Sequence, residues 1–352
     1  MTATGRTLGH PSGAALSTHV NRYFTDRDVA GSHAPPFSYV LAGGARALVM
    51  SDPVGPFLIQ GRHPGHARPL HVRLDDSRRL TTLLSRAKLG SAAKRAEFDA
   101  LLGVYFDQYS ERLRYGGAGE AVRAEKFEDL LRAVTKQEQA DVIQSMLPPS
   151  YLEPWQTTLD LCGTSPVPAT ANYPAMGLRL AAHLLTHPTH RARHCTVVDT
   201  GLRQADSGGG YDTHSEDPIT QTRNLDNFLL HLLDFINEPG ENHPTKLDLD
   251  ETMIILNTEF GRTPAPQGGP TARGRNHWSH GFVQVYIGGP IRAGQAGIYG
   301  HIDDEGYATV FASPAEHRIA ALLALGVYPF EADSYSSSDV QGAPEEGRPR
   351  AA

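Results

Sequence analysis

Two cation-binding groups, a carboxylate and an imidazole, stand two residues apart in Gly210-Tyr211-Asp212-Thr213-His214. In extended backbone, residues two apart project to the same side. Asp212 can then offer an oxygen, and His214 a nitrogen, to one ion at about 2.0–2.2 Å. The same residues would also serve a turn in which Asp212 caps the backbone and His214 faces solvent. A second carboxylate opens Glu259-Phe260-Gly261-Arg262-Thr263, soon after the apolar run Met253-Ile254-Ile255-Leu256. A carboxylate at the end of a buried strand is costly unless it is paired or metal-bound. Arg262 is near enough to pair with Glu259 or to hold an oxyanion bidentately. A purely structural Glu259–Arg262 ion pair accounts for the motif equally well. Downstream, Gly274-Arg275-Asn276-His277-Trp278-Ser279-His280-Gly281 adds two imidazoles able to complete a metal shell. The candidate ligands of a divalent metal (Zn, Mn or Mg, one or two ions) are therefore Asp212, His214, Glu259, His277 and His280. Arg262 is the candidate catalytic, charge-stabilising group. No Gly-x-Ser-x-Gly elbow, phosphate-cradling Gly-x-x-x-x-Gly-Lys loop or dinucleotide fingerprint is found, so no nucleophile is assigned.

The elements that must position these groups are legible as patterns. His194-Cys195-Thr196-Val197-Val198-Asp199, residues 252–257 and Phe282 to Ile287 read as strands. Met176 to Leu185 reads as a helix. Leu225, Phe228, Leu229, Leu232, Phe235 and Ile236 mark an amphipathic helix, and about Ala315 to Leu325 a last one. Strands alternating with helices predict an α/β fold, with a largely parallel central sheet and helices on both faces. The site is expected beyond the carboxyl ends of the strands. Arg46 to Ser51 reads as a buried strand stopped by Asp52-Pro53. Residues 74–150 read as a helical insertion, in which Phe98, Leu101, Leu102, Tyr105 and Tyr109 form an apolar stripe expected in the core. Leu130, Leu131 and Val134 suggest another stripe. Residues 1–35 are expected to be flexible, 36–330 to form the α/β domain, and 331–352 to be a disordered tail.

Composition narrows the partners. A net charge of −7 and a pI near 6.2 argue against a nucleic-acid-coating surface. No run of 18 apolar residues is present to span a membrane. The first residues lack an apolar signal-peptide core, which makes the cytoplasm the expected location. Cys162 and Cys195 lack zinc-like spacing and are expected as two buried small side chains more readily than as a disulfide.

The three motifs, in this order, resemble the bacterial domain-of-unknown-function family 1501, of the alkaline-phosphatase-like superfamily with its sulfatases and phosphatases. The family's Gly-Trp-Asp-Thr-His is similar to Gly210 through His214, its Glu-Phe-Gly-Arg-Thr is matched by Glu259 through Thr263, and its Gly-Arg-Asp-His is similar to Gly274 through His277. The resemblance is firm over about 195–330 and fainter over 35–190, where Tyr39-Val40-Leu41 looks like a strand segment of the family. It implies an alkaline-phosphatase-like fold and one or two divalent metals bound by Asp212, His214, Glu259 and His277 or His280. It also implies Arg262 beside an oxyanion and a small anionic phosphate or sulfate ester as substrate. Two departures accompany it. The family's first strand, with a metal-binding Asp and a following nucleophile, is not read in this sequence, and Asn276 replaces the Asp of Gly-Arg-Asp-His. Many relatives carry an export signal. The expectation is a metal-dependent hydrolase or transferase; the alternative is a catalytically degenerate binding or assembly protein.

Overall fold

The computed structural model describes residues 20, 39–43, 70–74, 91–114, 140–153, 156–157, 170–199, 201–202, 211, 213–214, 219–258, 261–268, 273–289, 291, 296–312 and 314–327. The expected strand Arg46 to Ser51, the stripe at 130–134, Cys162 and the tail from Ser334 lie outside these residues.

The organising element is a helix whose start is written in Asn172-Tyr173-Pro174. The Asn172 side-chain oxygen accepts the Ala175 N–H at 3.0 Å. Pro174 sits in the first turn, where a missing N–H costs nothing. We label β1 Tyr39–Gly43, β2 Leu70–Arg73, α1 Ala92–Arg114, α2 Ala140–Met146, α3 Pro149–Leu152, β3 Gln156–Thr157 and β4 Thr170–Ala171, and this helix α4, Tyr173–Thr186. It covers the helix expected at Met176 to Leu185. Its buried positions run all round the axis, from Met176, Leu180 and Leu184 to Leu178 and Ala182, as in a helix enclosed by other elements. After Thr186 the chain turns on His187, whose Nδ1 accepts the N–H groups of Thr189 (3.3 Å) and His190 (3.0 Å). It then runs as β5, His194–Val198, where a strand was expected.

β5 pairs parallel with β1, Tyr39 opposite His194 through Gly43 opposite Val198, and β1 pairs parallel with β2. The order is β2-β1-β5. α4 lies on β1 and β5 so closely that a Cβ on Gly177 would stand 2.7 Å from Val197 Cγ1. One side of α4 shares a core with Val72 and Leu74 and with Ile143, Met146, Leu147 and Leu152 of the α2–α3 segment. Its Leu178 joins Leu232 and Ile236, with Phe228, Ile254, Leu256 and Ile287 packed alongside. The first of these lie on α5, Ile219–Asp234, or just after it, and the last on β6, Met253–Leu256, and β9, Val285–Gly288. Two fully buried amides lock α4 to α5: Asn172 Nδ2 donates to Asn227 Oδ1 at 2.7 Å, and Asn227 Nδ2 donates back to Asn172 Oδ1 at 3.2 Å. Four short strands, β7 Gly261–Arg262, β8 His277–Trp278 and the pair β10 His301–Ile302 with β11 Ala308–Val310, precede α6, Pro314–Ala324. Val20 is buried against Leu322 and Val327 at the end of that helix.

Two expectations are corrected. The sheet is not largely parallel: among the described residues parallel strand pairing is confined to three short strands, apart from the single bridge Ile236–Leu247, and the remaining sheets, β3-β4, β6-β9, β7-β8 and β10-β11, are antiparallel pairs. With this, the doubly covered central sheet of an alkaline-phosphatase-like fold is set aside. The physical reason lies between β6 and β9. A parallel return needs a crossover of about a dozen residues, usually a helix. The described chain there carries the β7–β8 pair and no helix, so β9 comes back antiparallel, Met253 opposite Gly288. The second correction concerns α1. Phe98 (50 %), Leu101 (67 %) and Tyr105 (55 %) are exposed, so the stripe is not core. No described helix is long and apolar enough to cross a membrane.

Candidate functional site

The site is built where β5 ends. Asp199 follows the strand, and its carboxylate accepts the Gly201 N–H at 2.7 Å and the Tyr211 hydroxyl at 2.6 Å. Burial raises the Asp199 pKa, and the two donors oppose that rise. Burial beside Asp199 also holds the Tyr211 phenol well above its ordinary pKa, so it stays a donor. Tyr211 is thereby pinned to the strand end, and the residues after it are fastened from three sides. Gln221, in the first turn of α5, donates to Tyr211 O and Thr213 Oγ1, both at 2.8 Å. Arg262 of β7 donates to Tyr211 O at 3.1 Å and to Arg275 O at 3.2 Å. The Arg275 N–H donates to Thr213 O at 2.9 Å. Thr213 is buried under these bonds.

The β7–β8 pair carries the facing half. Gly261 stands opposite Trp278 and Arg262 opposite His277. Gly261 is required there, because a side chain would run into the Gly281 carbonyl oxygen. Thr263 N–H donates to Asn276 O at 3.0 Å, Asn276 N–H donates to Thr263 Oγ1 at 3.1 Å, and Gln267 N–H donates to Gly274 O at 2.8 Å. These bonds bring His277 and Gln267 up to His214. His214 Nε2 lies 2.8 Å from His277 Nε2, and His214 Nδ1 lies 2.9 Å from Gln267 Oε1, with the two imidazole centroids 4.5 Å apart.

The structure thus brings His214, His277 and Arg262 into one neighbourhood. It places His280 elsewhere. That ring packs on Trp278 (4.7 Å) and Tyr307 (5.0 Å), and its backbone carbonyl accepts the Ala308 N–H. Asp212 and Glu259 lie outside the described residues. Among the described residues no group of three or more His, Cys, Asp or Glu side chains could hold a metal ion. The 2.8 Å between the two Nε2 atoms is the length of a direct N–H···N hydrogen bond; two nitrogens about 2.0–2.1 Å from one tetrahedral ion would stand about 3.3 Å apart, so the pair would have to part by about half an ångström to hold one.

Several residues of the site were not anticipated. Asp199 carries the signal that singled out Glu259, a carboxylate at the end of an apolar strand, and could have been found by it. Gln221 and Gln267 carry no such signal. Arg275 adds a further feature: its Nη1 is buried and has no hydrogen-bond partner. Cys195, on β5, is a free thiol whose pKa burial pushes up to about 12.

Residues 157–329 match the model of the family described as protein of unknown function, DUF1501. No curated protein and no solved structure matches the chain. The matched stretch includes His214, His277 and the side chains that hold them, and over it the chain is similar to the DUF1501 family.

Proposed function

We propose that His214 and His277 hold a divalent cation used in the hydrolysis or transfer of a phosphate or sulfate ester. The observation that carries this reading is the approach of the two Nε2 atoms to 2.8 Å. At this distance the two imidazoles share one N–H···N bond, and a parting of about half an ångström would let both bind one tetrahedral ion. Imidazole donors favour zinc, and manganese next, over magnesium, which prefers oxygen ligands. Such an ion supplies Lewis acidity to an ester oxygen. In this reading Asp212 and Glu259 add the carboxylates, as their motifs suggest. Arg262 acts by position, tying the strap before His214 to the strand pair that carries His277. The unpartnered Arg275 Nη1 offers donor capacity that an anionic oxygen would fill. The ester class itself rests on the likeness of the three motifs to those of the DUF1501 family and on the grouping of that family with sulfatases and phosphatases.

A specific observation favours a second reading. Asn276 Oδ1 accepts the N–H of His277 at 2.8 Å, so this neutral side chain is spent on the backbone. A centre short of that carboxylate suits a protein that binds at the histidine pair without turning a substrate over.

The test is metal content of the purified, unchelated protein by elemental mass spectrometry, with hydrolysis of p-nitrophenyl phosphate and p-nitrophenyl sulfate alongside. Bound metal that falls at least about tenfold in His214→Ala, with metal-dependent hydrolysis, supports the enzyme. Bound metal without hydrolysis supports the binding protein. No metal, even after zinc is added back, refutes both forms of the proposal.

A further inference from the structure

His214 is engaged at both ring nitrogens by named partners. The atom facing Nδ1 is the side-chain oxygen of Gln267, at 2.9 Å. An amide oxygen has lone pairs and no hydrogen, so this contact is a hydrogen bond only when Nδ1 carries the proton. A neutral imidazole has one N–H, which leaves Nε2 with a bare lone pair aimed at His277. The contact at 2.8 Å between the two Nε2 atoms then requires, without an ion, that His277 Nε2 donate.

We infer that Gln267 is a positioning residue that fixes His214 as its Nδ1–H tautomer, so that Nε2 is presented as a ligand toward His277. The inference rests on the metal reading above for its purpose, and on the hydrogen-bond pattern alone for the tautomer. Gln267 is suited to the task by its own anchoring. Its N–H donates to Gly274 O at 2.8 Å, across the same loop that carries Arg275 and His277, so the amide and the His277 imidazole are set by one hairpin, to which Arg275 N–H ties Thr213 beside His214. Metal-bound histidines commonly donate their second N–H to a carbonyl or carboxylate oxygen, which fixes the ring and raises its basicity. Here the oxygen belongs to a residue of a Gly- and Pro-rich loop, 53 positions from the histidine it orients.

The test uses the full chain, labelled with 15N-histidine, and zinc as the probe. Long-range 1H–15N imidazole spectra of the chelated protein should show His214 as the Nδ1–H tautomer. Gln267→Leu should turn it into a mixture and weaken zinc binding about tenfold. Gln267→Glu, whose carboxylate also accepts from Nδ1–H, should restore both. An Nε2–H tautomer in the wild-type protein, a tautomer unmoved by Gln267→Leu, or no rescue by Gln267→Glu would overturn the assignment. If the tautomer responds as expected while wild-type protein takes up no zinc, the role of Gln267 stands and the metal reading fails. If zinc binds and the tautomer does not respond, the reverse holds.

Discussion

Replacing Asn227 by alanine tests the joint between α4 and α5. The wild-type pair exchanges two hydrogen bonds, at 2.7 and 3.2 Å, in full burial, and Asn172 Oδ1 also caps α4 by accepting the Ala175 N–H. Asn227→Ala removes both exchanged bonds and leaves the Asn172 amide N–H groups stranded. A stranded buried donor costs about 1–3 kcal/mol, and each lost bond about 1 kcal/mol net, so a destabilisation of about 2–4 kcal/mol is expected. Asn172→Ala strands Asn227 in the same way and also removes the cap, adding about 1 kcal/mol. The double variant leaves neither amide stranded. Its loss should fall short of the sum of the single losses by about 1–3 kcal/mol. Urea unfolding followed by far-ultraviolet circular dichroism reads each value as a shift in midpoint at constant slope. A loss below about 0.5 kcal/mol for Asn227→Ala, or strict additivity in the cycle, would refute the account of the pair as a mutually satisfied buried joint.

Other outcomes follow from the same structure. Gly177→Ala should destabilise by about 1–2 kcal/mol, because the clash with Val197 (about 1–3 kcal/mol) exceeds the gain from replacing a helical glycine (about 1 kcal/mol); a raised urea midpoint would refute the tight packing of α4 on β5. Acid should weaken the fold through His194, whose pKa burial lowers to about 4. The folded value lies below the unfolded one, so the unfolded chain takes the proton first, and about 3 kcal/mol is lost as pH falls from 6.5 toward 4. His183, His187 and His317 are lowered too, chiefly by burial, and add in the same direction. Urea titrations at stepped pH should show the slope, and His194→Gln should flatten it. His280→Ala should leave zinc stoichiometry unchanged while His277→Ala lowers it, read by elemental mass spectrometry; equal losses would place His280 in the metal shell.

The local elements were legible because each has a local cause. The apolar content and Pro174 of α4, the spacing of Phe228, Leu232 and Ile236 around α5, and the apolar runs of β5 and β6 all act within a few turns of chain. Sheet direction has no such cause. The run Met253 to Leu256 reads alike whichever way its neighbour travels, and only the path to β9, whose described residues hold no helix, decides it. Periodicity in α1 likewise marks an apolar face without saying that anything covers it. At the site, residue type pointed to His214 and His277. Strand alternation would have separated His277 from His280, since Trp278 and His280 lie two apart and share a side. Gln221 and Gln267 were invisible because a neutral amide gains its meaning only from the group it meets after folding.

The parallel sheet also dictates an order of events during synthesis. β1 is the middle strand, yet its partner β5 follows roughly 150 residues later in the chain. At ribosomal speeds of about 5–20 residues per second, β1 waits on the order of ten seconds or more with one edge unpaired. β2 can cover the other edge early, since only a short span separates it from β1. Until α4 emerges, Val72 and Leu74 lack the helix that supplies Met176, Leu180 and Leu184 to their core. The nascent chain is therefore most prone to aggregation before residue 198 is made, and a chaperone that holds the first half would improve the yield of folded protein more than one acting after release.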